Sequence, residues 1–254
     1  MNIEKWIIAN FSPTGGTKKA ADILAKKLLG QWEEVDLCQP VNPMRLAEQD
    51  VCLISVPSYG GRVPAAAIDR LKAVSGSGAK AVLVCVYGNR EWEDTLTELQ
   101  DTLEGQGFVC AAAVAAVAEH SIFRQFAAGR PDSEDHAQLE GFAKEIRKKL
   151  DSDEFGSLRL AGSHGAYKEY GGVPFKPEAK DSCGSCGLCA KMCPVGAIDL
   201  EDPRKTDHEK CISCMRCVTL CPRHARDFDP GFMAEMAVKM EEKLSGHKEN
   251  HLFL

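Results

Sequence analysis

Two matching cysteine runs decide the fold of the second half of the chain: CGSCGLCAKMCP at residues 183–194 and CISCMRCVTLCP at residues 211–222. Each run has the spacing C-x2-C-x2-C-x3-C-P, so the second is an internal repeat of the first. In runs of this kind, three thiolates hold one iron–sulfur cluster and the fourth cysteine, before proline, binds the cluster of the other run. The pattern predicts two 4Fe-4S clusters, one held by Cys183, Cys186, Cys189 and Cys221 and the other by Cys211, Cys214, Cys217 and Cys193.

Zinc is the alternative metal for these cysteines, because C-x2-C pairs also suit tetrahedral zinc sites. Zinc requires neither the x3-C-P continuation nor its duplication, so the runs favour iron–sulfur clusters. Over residues 180–229 the sequence resembles the bacterial two-cluster ferredoxins. That resemblance implies a small α+β domain around the clusters.

Residues 1–150 have the pattern of an α/β domain. Short apolar runs, typical of strands buried on both faces, alternate with segments of helical period. Five strands with helices between them are what a doubly wound parallel sheet requires. We expect strands at residues 5–11, 33–37, 51–56, 79–87 and 108–117, and helices at residues 17–29, 65–74, 94–103 and 133–150.

A loop rich in glycine and hydroxyl groups, FSPTGGTKK at residues 11–19, follows the first expected strand and precedes a helix. Its glycines permit close backbone approach, and the helix N-terminus offers free amides to an anion. The order of residues matches neither the loop of nucleoside triphosphatases nor the GxGxxG of dinucleotide binders. A simple capped turn is the alternative. We expect a loop for a single phosphate, formed by Ser12, Thr14, Gly15, Gly16 and Thr17.

Two further loops follow the expected strands at residues 51–56 and 79–87, at the edge where open α/β sheets bind ligands. Their aromatic and small residues suit a flat polar ring such as isoalloxazine. Arg62 and Arg90 are expected to balance the charge of a reduced flavin. The expected ring contacts are Pro57, Ser58, Tyr59, Gly60, Gly61, Tyr87, Gly88, Asn89, Arg90 and Trp92.

On these motifs, residues 1–150 resemble the flavodoxin family, and the whole chain resembles flavodoxin–ferredoxin fusion proteins of anaerobic bacteria and archaea. The resemblance implies a flavodoxin-like five-stranded sheet and FMN as the bound flavin. Residues 151–179 are rich in Gly, Ser and Pro and are expected to be a linker. The ferredoxin domain is expected at residues 180–229. Residues 230–254 are expected to be a final amphipathic helix and a tail.

Composition narrows the partners and the compartment. The net charge is -6, from 31 basic and 37 acidic residues, so no positive field attracts nucleic acid. The apolar stretches are too short for a membrane span or a signal peptide. Closely spaced cysteines in a reducing cytosol favour metal thiolates over disulfides, so we expect a cytoplasmic protein. The sequence does not specify an oligomeric state.

The remaining cysteines and histidines carry weaker expectations. Cys52, Cys85 and Cys110 fall in expected strands as core residues, whereas Cys38 is expected near the surface. His120 has two interpretations, a proton donor at the flavin edge or a solvent-facing loop residue, and the second is favoured. His247 and His251 are expected to be solvated in the tail.

Taken together, the motifs predict a redox protein that passes electrons between two 4Fe-4S clusters and FMN, and on to a partner protein or small acceptor. The alternative is a ferredoxin-type electron carrier without enzymatic activity, whose first domain docks partners and binds no flavin. Flavin in the purified protein distinguishes the two.

Overall fold

A mainly parallel sheet forms the centre of the first part of the chain. The computed structural model describes residues 3–28, 30–152 and 154–254. The strands are β1 (Trp6–Asn10), β2 (Glu33–Asp36), β3 (Met44–Arg45), β4 (Val51–Pro57), β5 (Val74–Ser75), β6 (Lys80–Tyr87) and β7 (Val109–Val117). The parallel strands of the sheet lie in the spatial order β2-β1-β4-β6-β7, which is the flavodoxin-like order. The two short strands β3 and β5 pair with each other beside the sheet.

Helices cover both faces of this sheet, as the doubly wound pattern predicts. The helices α1 (Gly16–Leu28) and α4 (Ser133–Ser152) pack on one face, and α2 (Ala65–Leu71) and α3 (Thr95–Glu104) on the other. Along β4, Leu53 packs in the core beneath α1 and α4, and Ile54 packs in the core beneath α2 and α3. Successive strand residues point to opposite faces of the sheet.

Two expected helices extend beyond the helices that the structure describes. The last residue of the helix expected at residues 17–29, Leu29, lies outside the described residues. The helix expected at residues 65–74 is too long. It ends at Leu71 because Val74 and Ser75 extend and pair with Met44 and Arg45.

The cysteine-rich part of the chain is small and has little regular structure. It contains α5 (Leu188–Lys191), α6 (Arg216–Leu220) and a two-stranded antiparallel pair of β8 (Glu178–Ala179) with β9 (Arg226–Asp227). The expected final helix follows as α7 (Pro230–Leu244). Asp229 caps it by accepting a hydrogen bond from the Phe232 amide, and proline is favoured in the first turn.

The end of the chain returns to the first domain, which the sequence did not indicate. Strand β10 (His251–Phe253) pairs antiparallel with β7, so the sheet has six strands and not five. Asn250 fixes the return. Its Oδ1 accepts a hydrogen bond from the Val117 amide at 2.9 Å, and its Nδ2 donates to Asp135 and Gln138. His247 and His251 are both exposed, as expected, but His251 lies in β10 and not in an irregular tail.

The linker is also fastened to the first domain, along α3. The Asp101 carboxylate binds both His164 and the Tyr167 hydroxyl. The Lys168 amide donates to Asp94 at 2.7 Å, and its ammonium group pairs with Glu93. The cysteine-rich part is thus attached to the sheet domain at both of its ends. Within the described residues, no helix is long and apolar enough to cross a membrane.

We predict that Asn250→Ala lowers the free energy of unfolding by about 1–3 kcal/mol, because it leaves the buried Val117 amide and the Asp135 carboxylate without this partner. Urea unfolding followed by tryptophan fluorescence measures the change. The matched control is Glu249→Ala, because the neighbouring Glu249 is exposed. The control should change the free energy by less than about 0.5 kcal/mol. Equal losses in the two variants would contradict the role given to Asn250.

Candidate functional site

The two cysteine runs have the same backbone conformation. Two residues in each run and one residue just after it have positive φ, and they occupy equivalent places in the repeat. Left-handed residues among right-handed ones curl the chain so that its amides point towards one concave site. The equivalent pairs are Ser185 and Ser213, Gly187 and Met215, and Gly196 and His224.

The fourth cysteine of each run is held by an equivalent hydrogen bond. The Ala197 amide donates to Cys193 Sγ at 3.3 Å, and the Ala225 amide donates to Cys221 Sγ at 3.2 Å. Amide donors to sulfur stabilise thiolate ligands and tune the potential of a bound cluster. The repeated sequence therefore gives the fourth cysteine of each run the same hydrogen-bonded geometry.

Each run contributes its fourth cysteine to the cavity of the other run. One cavity, which we call the outer cavity, is lined by Cys183, Cys186, Cys189 and Cys221. The second, which we call the inner cavity, is lined by Cys193, Cys211, Cys214 and Cys217. These are the two crossed sets that the spacing predicts, and four thiols around one cavity suit a 4Fe-4S cluster.

The eight cysteines of the two runs line two cavities and are not gathered round a single point. Within residues 3–28, 30–152 and 154–254, no three Cys, His, Asp or Glu side chains are grouped as a single metal ion requires. A zinc site needs its four ligands within about 2.3 Å of one ion, whereas a cuboidal cluster holds its thiolates much farther apart.

The two cavities differ in their exposure. Cys186 in the outer cavity is exposed, whereas Cys214 in the inner cavity is only 8% exposed. The inner cavity is also lined by Val195, Ile198 and Ile212. The outer cavity therefore faces solvent, and the inner one is enclosed by apolar side chains.

A cleft lies at the carboxyl edge of the parallel sheet, between the sheet domain and the cysteine-rich part. The loops after β1, β4, β6 and β7 line it, at the position where open α/β sheets bind ligands. Nine of the expected flavin contacts line this cleft: Thr14, Gly16, Thr17, Pro57, Ser58, Tyr59, Gly60, Tyr87 and Gly88.

The loop before α1 turns sharply at a glycine. Gly15 has φ of +91°, where a side chain is strained, and α1 begins at the next residue. Ser12 and Gly15 shape this loop but do not line the cleft. Ser12 Oγ accepts a hydrogen bond from the Lys18 amide at 2.8 Å, so it serves as a cap of the helix.

Glycine is also required at the end of β6. A Cβ atom on Gly88 would lie 2.9 Å from the Cα atom of His120. The loop after β7 therefore packs directly against the backbone at residue 88, and both loops border the cleft.

Four of the expected ring contacts lie outside the cleft. Asn89 donates to the carbonyl oxygens of Leu244 and Gly246, so it anchors the end of α7. The Trp92 ring packs on Tyr87 and His251, with centroids 5.1 and 5.0 Å apart. Leu244, Gly246 and His251 lie more than 150 positions further along the chain, so no local pattern indicates these contacts.

Ion pairs hold Arg90 and Arg62 away from the cleft, and Gly61 packs against one of the paired carboxylates. Arg90 pairs with Glu93 at 2.8 Å, and a Cβ atom on Gly61 would collide with the Glu93 side chain. Arg62 forms two hydrogen bonds to Glu98, at 2.6 and 2.8 Å. Carboxylates therefore already neutralise both arginines that were expected to balance a flavin.

Residues from distant segments complete the cleft. Tyr170 and Val173 come from the linker, and Ile212 and Ser213 come from the second cysteine run. The Ser213 hydroxyl donates to the Phe175 carbonyl oxygen at 2.9 Å, which holds this part of the run in place. Sequence reasoning missed all four, because nothing in a linker or a cysteine run shows which surface it covers.

His120 forms part of the cleft wall and is only partly accessible to solvent. Burial and the nearby charge of Arg90 lower its pKa to about 4, so the ring is neutral near pH 7. Nδ1 accepts hydrogen bonds from the Ile122 and Phe123 amides, both at 3.1 Å. The ring proton is therefore on Nε2. The favoured expectation of a solvent-facing histidine is wrong.

The cysteines outside the two runs are core residues. Cys52, Cys85 and Cys110 are buried in strands, as expected. Cys38 is also buried, which corrects the expectation that it lies near the surface, and burial followed by the charge of Asp36 raises its pKa to about 12. A thiol with so high a pKa is a poor nucleophile.

Comparisons with known proteins match each part of the chain separately. Residues 182–225 match the family of 4Fe-4S dicluster domains. Among solved structures, flavodoxin 1 of Bacillus cereus is 16% identical, with a TM-score of 0.44, and covers 57% of this chain and 98% of its own. A flavodoxin of Streptococcus pneumoniae TIGR4 is 23% identical, with a TM-score of 0.40, and covers 57% of this chain and 97% of its own.

A third solved structure, rubredoxin oxygen:oxidoreductase of the anaerobe Desulfovibrio gigas, is 17% identical with a TM-score of 0.42, and covers 58% of this chain and 36% of its own. None of the curated proteins compared with the chain matches it. Because these structural likenesses are weak, the flavodoxin-like fold rests on the strand order. That order and the dicluster match define a flavodoxin-like domain joined to an iron–sulfur domain, and hence an electron-transfer protein.

The lowered pKa of His120 predicts a pH dependence of stability. The unfolded chain binds a proton at this residue near pH 6.5, whereas the folded chain resists protonation down to about pH 4. The free energy of unfolding should therefore fall as the pH is lowered from about 7 to 5. His120→Asn keeps an acceptor but does not titrate, so it should show a smaller loss. Anaerobic urea unfolding at each pH tests this. Identical pH slopes for the two proteins would show that His120 contributes nothing.

Proposed function

We propose that this chain is an FMN and iron–sulfur redox protein that passes electrons between two 4Fe-4S clusters and FMN, and on to a partner protein or small acceptor. The observation that carries the proposal is the position of Ile212. It lies in the wall of the cleft and also in the wall of the inner cavity. A single residue therefore separates the expected flavin site from the expected cluster site.

When bound, the clusters would carry single electrons and FMN one or two, which allows one-electron donors to serve two-electron chemistry. The eight cysteines fit two clusters because each cavity is lined by four thiols. We assign Cys183, Cys186, Cys189 and Cys221 to the outer cluster and Cys193, Cys211, Cys214 and Cys217 to the inner cluster.

The cleft residues fit the phosphate of FMN. Thr14 and Thr17 line the cleft with hydroxyl groups, and Gly16 begins α1 there. The first amides of a helix and its dipole favour an anion at this end. Lys18 pairs with Asp22 and Glu34, so hydroxyl groups and amides are the donors we assign to the phosphate.

The same cleft supplies residues for the flavin ring. Tyr59 and Tyr170 line it, together with Gly60, which packs against the Tyr170 ring, and Gly88, which packs against His120. Aromatic faces and backbone hydrogen bonds are the means by which proteins bind and tune a flavin. We therefore assign the ring to this part of the cleft, with His120 as a neutral Nε2–H donor on its wall.

Contacts between the two parts keep the inner cavity beside the cleft. Arg216 follows the αL residue Met215 and pairs with Asp36 at the end of β2, at 3.2 Å. Arg70 in α2 donates to the Pro194 carbonyl oxygen at 2.9 Å. With both ends of the cysteine-rich part also fastened to the sheet domain, we propose that residues 180–229 are docked permanently against residues 1–150.

The outer cavity suits exchange with a partner. Cys186 and the neighbouring Leu188 are exposed, so a protein that docks there would approach the outer cluster and not the flavin. We propose that electrons pass between a partner and the outer cluster, then the inner cluster, then the cleft. The thiolates of both sites favour the reducing cytoplasm as the compartment.

Cofactor analysis of one preparation tests this proposal. Anaerobically purified protein should contain eight iron atoms and one FMN per chain, and riboflavin, which lacks the phosphate, should bind more weakly than FMN. Gly15→Val should lose FMN but keep its iron, because a β-branched residue is strained at φ of +91°.

The matched control is Gly156→Val. Gly156 lies in the linker with open space around it and without positive φ, so its replacement should leave the FMN content unchanged. Iron without flavin in the unaltered protein would support the alternative, an electron carrier with no flavin. Zinc in place of iron, or four iron atoms with all eight thiols intact, would contradict the two-cluster assignment.

A further inference from the structure

One buried arginine lies among the cluster ligands. Arg226 in β9 is only 1% exposed, although its side chain carries a full positive charge. Its guanidinium group donates to the carbonyl oxygens of Pro203 and Pro177, at 2.7 and 3.3 Å, and to the hydroxyl of Thr206. Uncharged oxygen atoms thus accept some of the hydrogen bonds that the guanidinium group can donate.

In the part of the chain that the structure describes, the hydrogen bonds of the Arg226 guanidinium group to oxygen go to uncharged oxygens and none to a carboxylate, and its Nε atom has no hydrogen-bond partner. Burial of an uncompensated charge is strongly unfavourable unless an opposite charge lies nearby. The side chain therefore requires a negative group that the carboxylates do not supply.

The sulfur atoms of the two cysteine runs supply that group. Arg226 lies beside the sulfurs of Cys189 and Cys217, and it lines the outer cavity. Cys189 belongs to the proposed outer set of ligands and Cys217 to the inner set. The guanidinium group is therefore placed between the two proposed clusters, where both would bring net negative charge.

The repeat shows that the fold itself does not require an arginine here. In the first run the equivalent position is Ile198, which is buried at 5% exposure and lines the inner cavity. Both residues form cross-strand pairs, Ile198 with Thr206 and Arg226 with Ala179. An apolar residue thus satisfies the same structural position in one half of the domain and a charged residue occupies it in the other.

We infer that the Arg226 guanidinium sets the reduction potentials of both clusters and holds them higher than the cysteine ligands alone would. Reduction adds negative charge to a cluster, and a nearby positive charge stabilises the reduced form more than the oxidised form. The effect is strong because the group is buried, where water does not screen it. This inference rests on the proposed binding of two clusters.

The test measures the potentials of the unaltered protein and of four variants by anaerobic redox titration followed by electron paramagnetic resonance. Arg226→Ile copies the residue of the first repeat, and Arg226→Gln keeps polarity without charge. Arg226→Lys keeps the charge. The matched control is Arg223→Gln, because Arg223 lines the same outer cavity but is exposed to solvent.

Both neutral variants should make reduction of each cluster at least tenfold less favourable, a shift of about 59 mV to lower potential for a one-electron couple. Arg226→Lys and Arg223→Gln should each change it by less than threefold. Iron content is measured on every sample. Fewer than eight iron atoms in the unaltered protein would refute the proposed function itself, separately from this inference.

Several results would overturn the inference. Full iron content with unchanged potentials in Arg226→Ile or Arg226→Gln would show that the charge is irrelevant. A shift of equal size in Arg223→Gln would show that burial confers no special effect. Loss of iron from both neutral variants would make Arg226 a structural residue that holds the carbonyl groups together.

Discussion

The attachment of the cysteine-rich part at both ends is the constraint on which the rest of the structure depends. The linker is held along α3 by Asp101, and the chain end is held in the sheet by β10 and Asn250. A segment tied at one end would be free to move on a flexible tether. Tied at both ends, it keeps Ile212 in the wall of both the cleft and the inner cavity.

The two cavities differ in their burial and in the charged groups near them. The outer cavity meets solvent at Cys186, the inner cavity is enclosed by apolar side chains, and Arg216 pins the inner one to Asp36 of the sheet domain. Low solvent exposure shields a cluster from water and strengthens every nearby electrostatic interaction. On the proposed function, the exposed outer cavity would serve exchange with a partner, and the enclosed inner cavity would lie on the path towards the cleft.

Local patterns in the sequence predicted most of the elements that later form the site. The cysteine spacing led to both ligand sets, and the SPTGGT loop led to the start of α1, because each of these motifs acts within a few residues. Contacts between residues far apart in the sequence could not be predicted from these local motifs. Asn89 and Trp92 have the composition of ring contacts, yet they bind a tail more than 150 residues away. The sixth strand, the role of Ile212 and the burial of Arg226 follow equally from long-range packing, which carries no short signature.

The most direct measurement of the central claim is the rate of flavin reduction after the clusters are reduced by a pulse of a one-electron donor. If the clusters and FMN sit on one docked chain, the rate should be first order and unchanged when the protein is diluted tenfold, because the exchange is intramolecular. Cys214→Ala, which removes an inner ligand, should slow it while FMN stays bound. A rate that falls in proportion to dilution, or flavin that stays oxidised while the clusters are reduced, would contradict the account.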